Sequence, residues 1–243
     1  MKKAAYLALF VMVVSWSCLM GSGVEAQEVS PYYGASTQKP QPTESLYIAI
    51  LFFKLSRQAP DFEAWARHTS EYQAAEKFDK LAVQDQQVEK LKGLYSLLTV
   101  QEPVIIETPV KLSAYSVVNK GFFIENFRND TFFPVRYNEN SYAIVPLGIM
   151  DRQWMPVPDE SAAKAIESAA ANKDKPLTMV LMLTPKYADN TTPAVVDDEK
   201  YWLISADVTK LMLYSPDSSL PLWQSNDARA DDAKRQEILK LRQ

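Results

Sequence analysis

Pro103 divides the chain into two halves whose apolar residues recur at different intervals, and the order of those halves restricts the fold more than any other feature. From Glu44 to Leu98 the apolar residues form one dense run and then a stripe spaced three, four and seven apart, which is helical spacing. From Val104 to Tyr214 short segments rich in Val, Ile, Phe and Tyr are separated by turn residues, which is the habit of strands. Helices first and strands later, with one helical stretch among the strands, predict an α+β fold rather than alternating βαβ units. The expected architecture is N-terminal helices followed by a mainly antiparallel sheet with one inserted helix.

In the helical half, Thr43 and Glu44 precede eight apolar residues, Leu46 to Phe53, closed by Lys54 and Arg57. Eight residues are too few to span a bilayer, so the run predicts a nearly fully buried helix over 44–57. Pro60 followed by Asp61 and Glu63 reads as the start of the next helix, because a missing N–H is harmless there and carboxylates favour the positive end. Continued as helix, that segment places Asp61, Trp65, His68 and Tyr72 on one face, four, three and four residues apart. From Ser70 to Leu98 the stripe Phe78, Leu81, Val88, Leu91, Tyr95 and Leu98 predicts one amphipathic helix packed on the protein's own sheet.

In the strand half, candidate strands cover 104–118, 121–127, 131–137 and 141–149. Asn138-Glu139-Asn140 reads as a three-residue hairpin loop, with Asn suited to a left-handed conformation, so its flanking strands must be antiparallel. Pro134 and Pro146 cannot donate to a ladder and are expected at a sheet edge or a bulge. A helix is expected over 158–172, with Ala162, Ala165, Ile166 and Ala169 on its packed face. Leu177 to Leu183 is apolar without alternation and is expected mid-sheet. A polar loop through Asp189, Asn190 and Pro193 then leads to a long strand over 200–214, bulged around Asp207, before a turn at Pro216-Asp217-Ser218 and an antiparallel return at Leu220–Trp223.

The N-terminus has the three parts of a secretory signal peptide: Lys2 and Lys3, an uncharged run from Ala4 to Met20, and short residues at Val24-Glu25-Ala26. Cleavage after Ala26 is expected. Two alternatives keep a membrane anchor, one through a lipid on Cys18 and one through an uncleaved apolar run. The expected organisation is therefore a signal peptide over 1–26, a Pro-containing flexible tether over 27–43, a single α+β domain over 44–225, and a charged helix or tail over 226–243. Loss of residues 1–26 removes two basic residues and one acidic residue, taking the formal net charge from -4 to -5. A mildly acidic chain without a long basic run argues against nucleic acid as a partner.

The same composition removes several chemistries. Cys18 is the only cysteine and His68 the only histidine, so thiol chemistry and multi-histidine metal sites are not expected, and no metal or other cofactor is predicted. The isolated glycines build neither a dinucleotide fingerprint nor a phosphate loop, and no G-x-S-x-G occurs. Ser36 to Lys39 and Ser161 to Lys164 match S-x-x-K without the companion motifs of a serine enzyme. The acidic clusters Asp159-Glu160, Asp197-Asp198-Glu199 and Asp231-Asp232 leave a carboxylate mechanism open. The face of Asp61, Trp65, His68 and Tyr72 is the one candidate binding site, and core anchoring by Trp65 and Tyr72 is its plainer reading. Together these features lead us to expect an exported bacterial envelope or periplasmic protein. Its expected role is a non-enzymatic binding or structural module with a protein or glycan partner. The alternative is an exported carboxylate-dependent hydrolase of glycan or peptide. Membrane contact is expected only if Cys18 is lipidated or the signal is retained.

Overall fold

A computed structural model of the protein describes residues 44–172 and 174–225. The expected signal peptide, tether and charged tail lie outside those residues. The described chain contains five α-helices: α1 (Glu44–Leu55), α2 (Phe62–Arg67), α3 (Ser70–Ala74), α4 (Lys80–Leu97) and α5 (Glu160–Ala170). Its strands are β1 (Val104–Pro109), β2 (Gly121–Phe123), β3 (Phe133–Tyr137), β4 (Asn140–Leu147), β5 (Trp154–Pro156), β6 (Thr178–Val196), β7 (Glu199–Tyr214) and β8 (Trp223–Gln224). Six strands form a mixed, mostly antiparallel sheet in the order β1-β6-β7-β4-β3, with β8 also on β7. The fold class is α+β, as the order of periodicities requires.

Helix α1 is the centre of the molecule. Every residue from Leu46 to Phe52 is at most 8% exposed. A helix apolar on all sides has to be covered on all sides. It crosses one face of the sheet, touching β3, β4, β6 and β7. At its C-terminal end the Phe52 ring lies 5.3 Å from Tyr142 and 5.6 Å from Trp202, both on that face. Lys54 donates to the Leu98 carbonyl at 2.6 Å, which satisfies an orphan acceptor just past the end of α4.

The stretch expected as one helix over 70–98 is two. Helix α3 ends at Ala74, Ala75 turns extended, and α4 begins at Lys80. Consequently only the later part of the stripe is packed: Leu91 and Leu98 are buried and Val88 and Tyr95 pack against the core, while Phe78 is 93% and Leu81 71% exposed. Helix α4 packs chiefly on α2 and α3 rather than on the sheet. In α5 the packed residues are Ala162, Ala163, Ile166 and Ala169, so Ala163 takes the place expected for Ala165, which faces solvent.

The β3–β4 hairpin is antiparallel as expected, but Tyr137 pairs with Asn140 and its loop is two residues, with Asn138 at φ 54. Pro134 lies on β3, an edge strand; Pro146 lies on β4 beyond the last β3 partner at Ile144, so it has a strand neighbour on β7 only. Strand β6 sits inside the sheet between β1 and β7. It runs through the expected polar loop. Asp189 pairs with Leu203 and Ala194 with Tyr201, so Asn190 to Pro193 loop out of a strand that continues to Val196. The Asp189 carboxylate accepts from the Thr191 amide at 2.9 Å and hydroxyl at 2.6 Å, an Asx turn that lets the bulge close locally. Asp197 and Asp198, at φ 49 and 65, then make the two-residue turn into β7. The bulge expected around Asp207 occurs at Thr209, since Leu183 faces Val208 and Met182 faces Lys210. One pair is parallel, β4 with β7, and it is possible because β5, α5 and β6 supply the long crossover between them.

Strands β2 and β5 form a separate two-stranded sheet against the same core, and their approach leaves no room at Gly121. A Cβ there would lie 2.4 Å from the Met155 carbonyl oxygen and 2.6 Å from the Trp154 ring. Gly121→Ala is therefore expected to destabilise by about 1–3 kcal/mol, because a backbone atom has to move. The urea midpoint checks it; an unchanged midpoint would show that the two strands separate at no cost. Among the described residues no helix is long and apolar enough to cross a membrane.

Candidate functional site

The four residues singled out by helical spacing are not on one helix. Asp61 is the N-cap of α2, its carboxylate accepting from the Ala64 amide at 2.9 Å. Trp65 is buried inside α2, its ring 5.4 Å from Phe53 and 5.1 Å from Tyr137. His68 is exposed at the C-cap, where its N–H reaches the carbonyls of Trp65 and Ala66. Thr69 then caps a new helix by accepting from the Tyr72 amide at 3.3 Å, so Tyr72 belongs to α3. The signal for this break was Thr69 itself, a residue whose side chain competes for backbone amides and favours a helix start. Asp61 and Tyr72 thus belong to separate helices, and the single helical face expected for the four is not formed.

What the break builds instead is an open groove of about 630 Å³ between α3 and α4. Glu71, Ala74, Asp79, Gln86, Gln87 and Lys90 are among its lining residues. Lys90 spans the groove to Glu71 at 3.3 Å, and the bonds Glu71 receives, first from its own backbone amide and then from Ser70 and Lys90, hold its carboxyl below the usual range. Tyr72, next to the groove residue Glu71, has the Lys80 ammonium 4.9 Å from its ring centre. Phe78, in the turn before α4, and Leu81, in its first turn, are exposed, and Leu81, two residues from both Asp79 and Val83, lies on the side of α4 away from the groove. Its walls mix Ala74, Ala75 and Val83 with charged and amide side chains. Gln86 is exposed there and its amide can both donate and accept, whereas Gln87 is buried.

A second polar cluster lies on the sheet face away from α1. Ser141 donates to Glu199 at 2.6 Å and Tyr201 to the other carboxylate oxygen at 2.7 Å. Both bonds favour the ionised acid, Ser141 foremost, and hold Glu199 below its ordinary range; the Tyr201 hydroxyl is pushed up to about 12 by burial and by Glu199. The carboxylate is occupied by its own neighbours and holds the start of β7 to β4. A lowered carboxyl pKa stabilises the fold above the unfolded value and loses that contribution as pH falls through the folded one. Wild type is thus expected to lose stability on acidification below about pH 4.5 more steeply than Ser141→Ala, in denaturation midpoints measured from neutral to acid. Parallel pH profiles would remove this role for the cluster.

No protein-family model, curated protein or solved structure matches this chain. Its site therefore has to be read from its own residues. Among the described residues no three His, Cys, Asp or Glu side chains are gathered to hold a metal ion.

Proposed function

We propose that the chain is an exported bacterial envelope or periplasmic protein that works as a non-enzymatic binding or structural module. Its partner on this reading is a protein, received on the exposed apolar side chains at the start of α4. The observation that carries the proposal is the exposure of Phe78, in the turn before α4, and of Leu81, in its first turn. Leaving a large apolar side chain in water forgoes about 1.5–3 kcal/mol that burial would return, and exposed apolar groups rimmed by polar ones mark contact surfaces. A protein suits the surface better than a glycan. Leu81 has no ring to stack on a sugar, and Phe78 stands out from the surface rather than walling a cleft.

The test is retention on isolated envelopes. The Phe78→Ser, Leu81→Ser double variant is expected to keep the wild-type melting temperature, because neither side chain is packed, and to lose retention. Protease treatment of the envelopes should abolish wild-type retention. If a glycan-cleaving enzyme abolished it instead, the partner would be a glycan and the protein reading would fall. If wild type released reducing or amino ends from the envelopes, and acid-to-amide variants did not, the chain would be the carboxylate-dependent hydrolase.

A further inference from the structure

Leu181 of β6, Leu213 of β7 and Ile106 of β1 belong to the core that encloses α1. Side chains alternate along a strand, so their neighbours Val180, Met182, Met212 and Ile105 point to the other face of the sheet. Pairing sets these four side by side, Ile105 opposite Met182 and Val180 opposite Met212. Val180 is buried between its paired neighbours Glu107 and Met212, and the other three are half-buried. Among the described residues none of the four packs against either hydrophobic cluster. An unalternating apolar run such as Leu177 to Leu183 belongs to a strand covered on both faces. Only one of those covers is present among the described residues.

The last described residues stand beside that patch. Trp223 pairs with Leu213 and Gln224 with Met212. Ser225 then holds Leu211 twice, its amide donating to the Leu211 carbonyl at 2.8 Å and its hydroxyl accepting from the Leu211 amide at 3.0 Å. Residue 226 therefore comes two positions after the partner of Met212. The edge of β7 farther along is taken by β4, whose Leu147 lies opposite Asp207. The α1 side is taken as well: Trp223, which packs on that core, donates to the Pro156 carbonyl at 2.9 Å, and Ile149, just past β4, is buried there. The open direction is toward Val180.

We infer that residues 226–243 fold back over this face of the sheet and cover Val180, Met182 and Met212 with Ile238 and Leu241. The inference rests neither on the export reading nor on the apolar surface at the start of α4. The reach suffices. Strands β8, β7, β6 and β1 are neighbours in that order, separated by three gaps that add to roughly 14 Å, and the 18 residues of the segment span about 27 Å even as a helix. Ile238, Leu239 and Leu241 are its large apolar side chains, and in a helix Ile238 and Leu241 share one face. Both signs of charge stand at the patch, in Glu107 and Lys210, as they do around Ile238, in Glu237 and Lys240. A segment already joined to β8 meets the patch at the high effective concentration of a tether, which a second copy or a separate partner lacks.

The test uses the full chain in a Cys18→Ser background, with Met182→Cys and, separately, Met212→Cys reporting on this face. The rate at which N-ethylmaleimide labels either thiol is expected to rise several-fold when Ile238→Asp and Leu241→Asp are added, at any protein concentration. Ala206→Cys, fully buried on the α1 face, should stay unreactive in both backgrounds. Faster labelling at all three positions together would overturn the inference by showing that the fold itself has opened. Equal and fast labelling with and without the aspartates would overturn it by showing the face bare. Equal and slow labelling would overturn it too: relieved by dilution, it gives the face to a second copy of the chain, and unaffected by dilution, to the flanking side chains. Phe78→Ser with Leu81→Ser should alter none of these rates, so the partner surface and the covered sheet face are read separately.

Discussion

Trp65→Ala is expected to lower the unfolding free energy by about 3–5 kcal/mol, the largest effect of any substitution outside α1 and the sheet that we consider. Trp65 is 5% exposed and is held edge-on by three rings, Phe53, Phe62 and Tyr137, at 5.4, 6.2 and 5.1 Å. These tie α2 to α1 and to the edge strand β3. Removing the indole leaves a cavity among groups anchored on three different elements, so little collapse can fill it. His68→Gln, one turn later and exposed, is expected to shift stability by less than about 0.5 kcal/mol. Denaturant titration of both variants checks the pair of statements. A small loss at Trp65 would mean the three rings close over the gap, and a large loss at His68 would assign the imidazole a role beyond its backbone cap.

Stability should fall between about pH 4.5 and 7, and Glu44 should be the main reason. Burial, with the Glu107 charge as a second cause, raises its carboxyl from the model-peptide value of 4.5 to about 7. One of its oxygens is enclosed without a hydrogen-bond partner. Below pH 4.5 the acid is protonated whether folded or unfolded, and the fold is unpenalised. As pH rises, the unfolded chain releases the proton first, so the folded state loses ground until its own carboxyl ionises near 7. A shift of this size corresponds to about 3 kcal/mol, and residual solvent contact of the carboxyl brings the expectation nearer to about 2 kcal/mol. Glu44→Gln should remove the slope, leaving the variant more stable than wild type at pH 8 and close to it at pH 4. Unfolding midpoints across that range decide the matter. A wild-type profile unchanged by Glu44→Gln would place the proton elsewhere.

The candidate site was less legible than the fold because helical spacing was extended across a break. Asp61, Trp65, His68 and Tyr72 share a face only if the backbone stays helical through Thr69. Thr69 instead caps α3, and a capping hydroxyl worth about 1 kcal/mol outweighs continuation where no core contact holds the next turn. The groove at α3–α4 followed from that break and from the second one at Ala75. Neither Phe78 nor Leu81 differs in kind from Leu91 or Leu98, so their exposure could not be read from the stripe. The polar segment through Asn190 was misplaced for a related reason. Its residues are those of a loop, and they do leave the ladder, but the strand resumes on the far side because β7 continues to offer partners.

Local chemistry alone determined the class of the fold, the buried helix at 44–55, the Asn138 hairpin, the edge position of Pro134 and the paucity of cysteine and histidine. Each depends on a property of the residues themselves: their period, their allowed backbone angles or their missing donor. The parallel pairing of β4 with β7 and the enclosure of the Glu44 carboxyl were decided by tertiary structure. Both join segments far apart in the chain or depend on which neighbour covers a residue. Such choices are settled by the competition of many packing arrangements for one core, and no single stretch of sequence contains that competition.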